Sequence, residues 1–183
     1  MPTKIIEQFG QREALEAVRP DEAVAVGVTV KDGFVVQQGD VIGEIEANGF
    51  YRRRSRALAA GAGFSDASTV GHVDDASVFV AGDSLALANG SGIGDVLSVD
   101  KEASTVTLVD NAAVNVAAGV AVFALDGSQV AKGISDKTTD GVGDTPINAF
   151  ICGLLNESKL RGLDASAKAE MSGASMAGGV FKF

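Results

Sequence analysis

Few side chains in this sequence have the type and spacing to do chemistry. His72 is the only histidine, and Asp74 and Asp75 follow it closely. A histidine beside a carboxylate suggests a general base held by an orienting acid and serving a serine nucleophile. No nucleophile-elbow sequence supports that relay, so the expected place of His72 is an exposed loop. One cysteine and one histidine are too few for structural zinc. Asp74, Asp75 and Asp83 are candidates to meet a hard cation, but no spacing resembles an EF-hand loop. Asp83 follows a glycine at a turn, as Asp40 does, and serving that turn is its expected role. The run Gly90-Ser91-Gly92-Ile93-Gly94 looks superficially like a phosphate loop. It lacks the Lys-Ser/Thr pair, and the residues after it read as a strand rather than a helix, so it is read as a flexible inter-strand loop. Gln37 to Ile45 resembles the turn that opens a biotinyl or lipoyl carrier hairpin, but no modifiable lysine follows at an apex. No catalytic residue, metal or cofactor is expected, and the chain is read as not an enzyme.

Charge separates the remaining function classes. The net charge is −9. Residues 57–136 hold ten acids against two bases, whereas residues 137–183 hold five of each. A nucleic-acid binder needs a basic footprint. The one dense cluster is Arg52-Arg53-Arg54 with Arg56. Two roles stay open for it: pairing with the acidic middle of the same chain, or contact with an acidic partner surface. Cys152 lies in the apolar run Phe150 to Leu155, which predicts a buried, inert thiol. The N-terminus has no apolar signal-peptide core, and no apolar run approaches the ~20 residues of a spanning helix. A soluble protein assembled in a reducing compartment is expected, with no membrane partner.

The elements that must position these residues read as mainly β. A similar stretch occurs three times, at Val35–Ile42, Val78–Leu85 and Val114–Val122: an apolar run, a turn with glycine, and a second apolar run. Each is read as a hairpin, because glycine supplies φ > 0 without a Cβ clash. Val24, Val26, Val28 and Val30 alternate as in a half-buried strand, and Gly94–Val109 is the clearest hairpin. Residues 57–72, rich in Ala, Gly and Ser, are read as a surface loop or linker. Residues 130–134 and 150–155 read as strands, and 156–161 as a helical turn. Asp164 caps a short helix through Met171, and Val180–Phe183 alternates as an edge strand. Residues 1–22 form an arm, either a short helix stopped by Pro20 or an extended segment. The chain holds 28 Ala and 23 Gly against 9 Phe and no Trp. Small side chains bury little area each, so self-association is expected to complete a thin core.

The order of these features resembles the bacteriophage head decoration proteins of the lambda type. The likeness begins at Val36 to Arg52, where Gly43, Ile45, Ala47, Gly49 and Tyr51 fall at alternate positions. It continues in Asp126-Gly127-Ser128-Gln129-Val130-Ala131-Lys132-Gly133-Ile134 and in Gly153 to Ser158 through Gly162-Leu163-Asp164. It covers roughly residues 35–183. Residues 70–125 exceed the small members of the family and read as an inserted or elaborated lobe within a β-rich domain of residues 23–183. The resemblance implies a compact β-barrel or sandwich of hairpins with one or two short C-terminal helices. It also implies a capsid cement function: a homotrimer on the outside of the virion, bound to the major capsid protein and assembled in the host cytoplasm. The rival class is a surface- or receptor-binding module, such as a head fibre base or tail appendage. Candidate capsid or subunit contacts are Ile5, Ile6, Phe9, Arg52, Arg53, Arg54, Arg56, Phe181 and Phe183.

Overall fold

The computed structural model describes residues 23–154, 156–173 and 181–182. Their strands, in chain order, are β1 (Val24–Val30), β2 (Val41–Ile45), β3 (Phe50–Arg53), β4 (Arg56–Leu58), β5 (Val70–His72), β6 (Ser84–Leu87), β7 (Gly92–Asp100), β8 (Thr105–Leu108), β9 (Ala121–Ala124), β10 (Gly133–Ser135), β11 (Thr145–Leu154) and β12 (Phe181–Lys182). One α-helix, α1 (Ala165–Gly173), follows β11. The mainly-β class expected from the sequence is what the structure has. The chain divides into two compact units. A host unit comprises Met1–Arg54 and Val130–Phe183, and Ser55–Gln129 is inserted in it.

In the host unit the strands run β1-β3-β2-β10-β11, and β11 pairs back onto β1, which closes a ring. The β1–β11 seam is long, from Val24↔Cys152 to Val30↔Thr145, while β1 meets β3 only at Val30↔Tyr51. Closure matters because an open strand edge invites unwanted pairing. Period-two alternation builds two cores from the same strands. On one face Val30, Val36, Ile42, Tyr51, Ile147 and Ala149 pack together. On the other, Val41, Ile134 and Phe150 meet Ala167 and Met171 of α1. The i, i+4 spacing of Ala167 and Met171 puts both on one helix face. Asp164 caps α1 as expected, its Oδ1 accepting from the Ala167 N–H at 2.7 Å. The helical turn expected at 156–161 is a 3-10 turn, Glu157–Lys159. The strand expected at 130–134 falls at Gly133–Ser135 and that at 150–155 begins at Thr145. The C-terminal strand forms on this chain: Phe181 and Lys182 pair in parallel with Gly153 and Leu154.

The inserted unit orders its strands β4-β9-β6-β7-β8-β5. Its ends are also tied, because Ala59 bridges Val73 and the Asp74 N–H donates to Leu58 O at 2.8 Å. Its core is its own, with Phe64, Phe79, Leu85, Ile93, Val106, Leu108 and Val122 at 0–2% exposure. Residues 57–72 therefore are not a linker. Ala57 and Ala59 are buried, and Phe64 bridges Val116. The small residues serve close approach: a Cβ on Gly71 would lie 2.0 Å from the Phe64 ring, and one on Gly63 would lie 1.9 Å from Val116 O.

The three glycine-turn stretches are not hairpins either, since the segments flanking each turn do not pair with one another. Each is a turn that launches one strand. Gln37 O accepts from the Asp40 N–H, Val80 O from Asp83 and Ala117 O from Val120, with glycine third in each turn at φ +85°, +92° and +85°. The glycine and the next residue then oppose a single residue of a distant strand. Gly39 donates to Ser135 O and Ser135 to Asp40 O; Val96 does the same with Gly82 and Asp83, and Ala59 with Gly119 and Val120, all at 2.7–3.0 Å. This is the bulge in which a left-handed glycine is the extra residue.

Candidate interaction surface

The arginine cluster spans the end of β3 and the start of β4, and alternation sends its members to different surroundings. Arg52 is 1% exposed, with its guanidinium carbon 4.3 Å from the centre of the Phe34 ring. Arg53, partly exposed, sets Nε 3.7 Å from Asp40 Oδ1. Arg54 is buried in a polar clasp: Nη1 lies 3.0 Å from Asp164 Oδ1, and Nη2 donates to Glu170 Oε1 at 2.8 Å and to Ser166 Oγ at 3.1 Å. Glu170 Oε2 accepts the Ala131 N–H at 2.6 Å. The clasp thus ties the cap and second turn of α1 to the segment that enters β10. Burial lowers the Arg54 pKa from its ordinary value, and Glu170 opposes that shift through its charge and hydrogen bond. Arg56 lies with its guanidinium carbon 5.8 Å from the Phe123 ring centre. Arg53 and Arg54 thus pair within the chain, with Asp40, Asp164 and Glu170. Arg52 and Arg54 are withdrawn from any outside surface, which leaves Arg53 and Arg56 with exposed area.

The other candidates fall as follows. Ile5, Ile6, Phe9 and Phe183 lie outside the described residues, and Phe181 is described by its backbone alone. His72 is exposed, as expected, but sits on β5, not on a loop. Asp74 Oδ1 accepts the Leu58 N–H at 2.7 Å, and Asp75 caps a 3-10 turn at Ala76–Val78. Asp83 and Asp40 close their turns, accepting from Val80 N at 2.9 Å and Gln37 N at 2.7 Å. No group of three metal-ligating side chains occurs among the described residues. The glycine-rich run proves to be a tight turn whose last members, Gly92 to Gly94, lie inside β7. Its amides point inward, Gly90 N–H to Leu87 O and Ser91 N–H to Asn89 Oδ1. Cys152 is buried, as expected. An open cleft of about 270 Å³ lies along β1 and β11, lined by Thr29, Lys137, Ile147 and Asn148 among others.

One surface the sequence did not suggest is built from two loops of the host unit, Lys31–Gln38 and Lys137–Asp144. They are laced together. Gly33 N–H donates to Gly141 O at 3.0 Å, and Thr139 N–H to Val36 O at 2.8 Å. Val36 N–H donates to Thr139 Oγ1 at 3.0 Å and Gln38 N–H to Thr138 Oγ1 at 3.1 Å. Asp32 N–H donates to Asp144 Oδ1, and Gly143 N–H to Asp32 Oδ1 at 2.7 Å. On this fixed tip Val142 is 77% exposed and Val35 is 46% exposed. A Cβ on Gly141 would lie 3.1 Å from Val35 Cγ2, so the two valine-bearing segments touch. The threonines and aspartates of these loops stiffen a tip that carries two exposed valines. No family model, curated protein or solved structure matches the chain.

Proposed function

We propose that this chain is a non-enzymatic structural protein of a virion: a decoration protein that binds the outside of a phage capsid, most simply as a trimer, and stabilises it. The observation that carries the reading is the laced tip with Val35 and Val142 exposed. An apolar side chain held out on a pre-ordered loop is a contact element, because docking it costs little conformational entropy. The surrounding architecture supports the same role. Strand rings without long open edges suit a protein packed at high density on a lattice. The aspartates placed above hold turns and caps, which is structural work. The sequence likeness to lambda-type decoration proteins names the partner, the major capsid protein, together with other copies of the chain.

The test is attachment to expanded empty heads built from the cognate major capsid protein. The wild-type chain should bind at fixed stoichiometry, and Val142→Asp should bind at least tenfold more weakly with an unchanged melting temperature. Failure of the wild-type chain to bind, or full binding by the variant, overturns the reading.

A further inference from the structure

The inserted unit carries a second exposed apolar surface, independent of the tip. Val96, Leu108, Leu85 and Ala124 are buried at 0–2% exposure, and Ser84, Asp95, Leu97, Val109 and Leu125, each next to one of them in the chain, are exposed. Backbone bonds place four of these in one row. Leu125 N–H donates to Ser84 O at 2.9 Å, Ser84 stands opposite Asp95, and Val109 N–H donates to Asp95 O at 2.9 Å. Leu97 follows Asp95 by two residues, at a bulge of β7 between the pairs Val96↔Leu108 and Ser98↔Thr107. Leu97 is 58% exposed, Leu125 58% and Val109 55%. Strands lie about 4.8 Å apart, so the row spans about 14 Å from Leu125 to Val109. Asp95 lies within it, its Oδ1 accepting from the Ser84 hydroxyl at 2.6 Å.

Charge selects the occupant. The unit holds nine acids against two bases, Arg56 and Lys101. A second copy of the same face would set Asp95 against Asp95 and a net −7 against a net −7, and nucleic acid would be repelled. A cation flanked by apolar groups satisfies both the carboxylate and the leucines, and apolar contact around it strengthens the charge pair by excluding water. We propose that the β9-β6-β7-β8 face of the inserted unit binds a cationic, apolar segment of a partner protein, its Lys or Arg on Asp95 and its apolar side chains on Leu97, Val109 and Leu125. An extended segment fits the dimensions. Alternate residues share a face, so apolar–x–Lys–x–apolar spans about 14 Å at 3.4 Å per residue.

The probe is the end-capped peptide Leu-Ser-Lys-Ser-Leu, titrated into the full chain and followed by amide chemical shifts. Binding should move resonances of β6 to β9. The double variant Leu97→Ser, Leu125→Ser should weaken it at least tenfold, and Asp95→Asn should weaken it several-fold and flatten its salt dependence. Val142→Ser, in the host unit, should leave it unchanged. Replacing the peptide's leucines by serine, or its lysine by glutamate, should abolish binding. The proposal is overturned if the probe does not bind, if the all-serine lysine peptide binds equally well, if the shifts lie elsewhere, or if the double variant keeps its affinity. Asp95→Asn carries the test should the serine variants melt early. None of these outcomes bears on attachment through Val142.

Discussion

Arg54 shows why a run of four arginines is not one feature. Consecutive strand residues alternate faces, so Arg54 enters a buried clasp while Arg53 stays partly in water. Arg54 is the buried member of the clasp, and removing it forfeits its charge-assisted hydrogen bonds to Glu170 and Asp164, so Arg54→Ala should lower unfolding free energy by about 2 kcal/mol. The Arg53–Asp40 pair, 3.7 Å apart, joins a partly exposed guanidinium to a buried carboxylate that also accepts the Gln37 N–H, so Arg53→Ala should cost less, about 1 kcal/mol. Urea unfolding of the two variants checks the ordering, and equal losses would contradict the clasp. The sequence left both in-chain pairing and an outside partner open for these arginines, because Asp164 and Glu170 lie more than a hundred residues away. Tyr51 supplies a pH signature. Burial first, and Glu44 second, raise its pKa above the ordinary 10.0. The unfolded chain then loses that proton more readily than the folded one. The contribution of Tyr51 is therefore complete below about pH 10 and is lost as pH rises through the folded pKa. Tyr51→Phe should flatten the alkaline fall in stability, and a variant with an unchanged slope would remove Tyr51 from the account.

At the level of elements, the strands were legible and the junctions were not. Val24–Val30 and the β7–β8 hairpin follow from alternation and a local turn. The three glycine turns read as hairpins because the sequence shows the turn and conceals the opposing residue. Ser135, Val96 and Ala59 lie 96, 14 and 60 residues from their glycines. Composition misled at residues 57–72, since Ala, Gly and Ser suit a solvated loop and a close-packed strand equally well. Phe64 was the usable signal, a large apolar side chain with no local partner. The contact it makes is testable. Gly71→Ala places a Cβ inside the Phe64 ring and should cost about 2–3 kcal/mol through overpacking. Phe64→Leu in the same chain should recover part of that loss, although alone it destabilises. A double mutant whose losses simply add would show that the two sites do not touch.

For the whole molecule, the insertion is defined by its closure more than by its sequence. The resemblance suggested a lobe at 70–125, whereas the compact unit is Ser55–Gln129, because the pair that seals it is remote in the chain. Ser55 N–H donates to Ser128 O, and the two hydroxyls are 2.7 Å apart, both residues fully buried. The unit therefore leaves and rejoins the chain through adjacent points, and among the described residues its core cluster is drawn from the unit itself. In the host unit, Arg54 and Lys132 bond to Val41 and Ile42 from the two sides of β2. They stand about two strand spacings, or about 10 Å, apart. Three residues in extended form bridge that gap. Replacing Ser55–Gln129 by Gly-Ser-Gly should therefore leave a folded host ring that still presents Val35 and Val142 and still attaches to heads, with its net charge near −2. The excised unit should unfold cooperatively by itself, since it has its own core and its own sealed ends. Amide-dispersed spectra from both pieces, with head binding confined to the host ring, are the expected result. A host ring that collapses without the insertion would mean that the two units fold as one, and attachment through the tip could then not be separated from the acidic lobe.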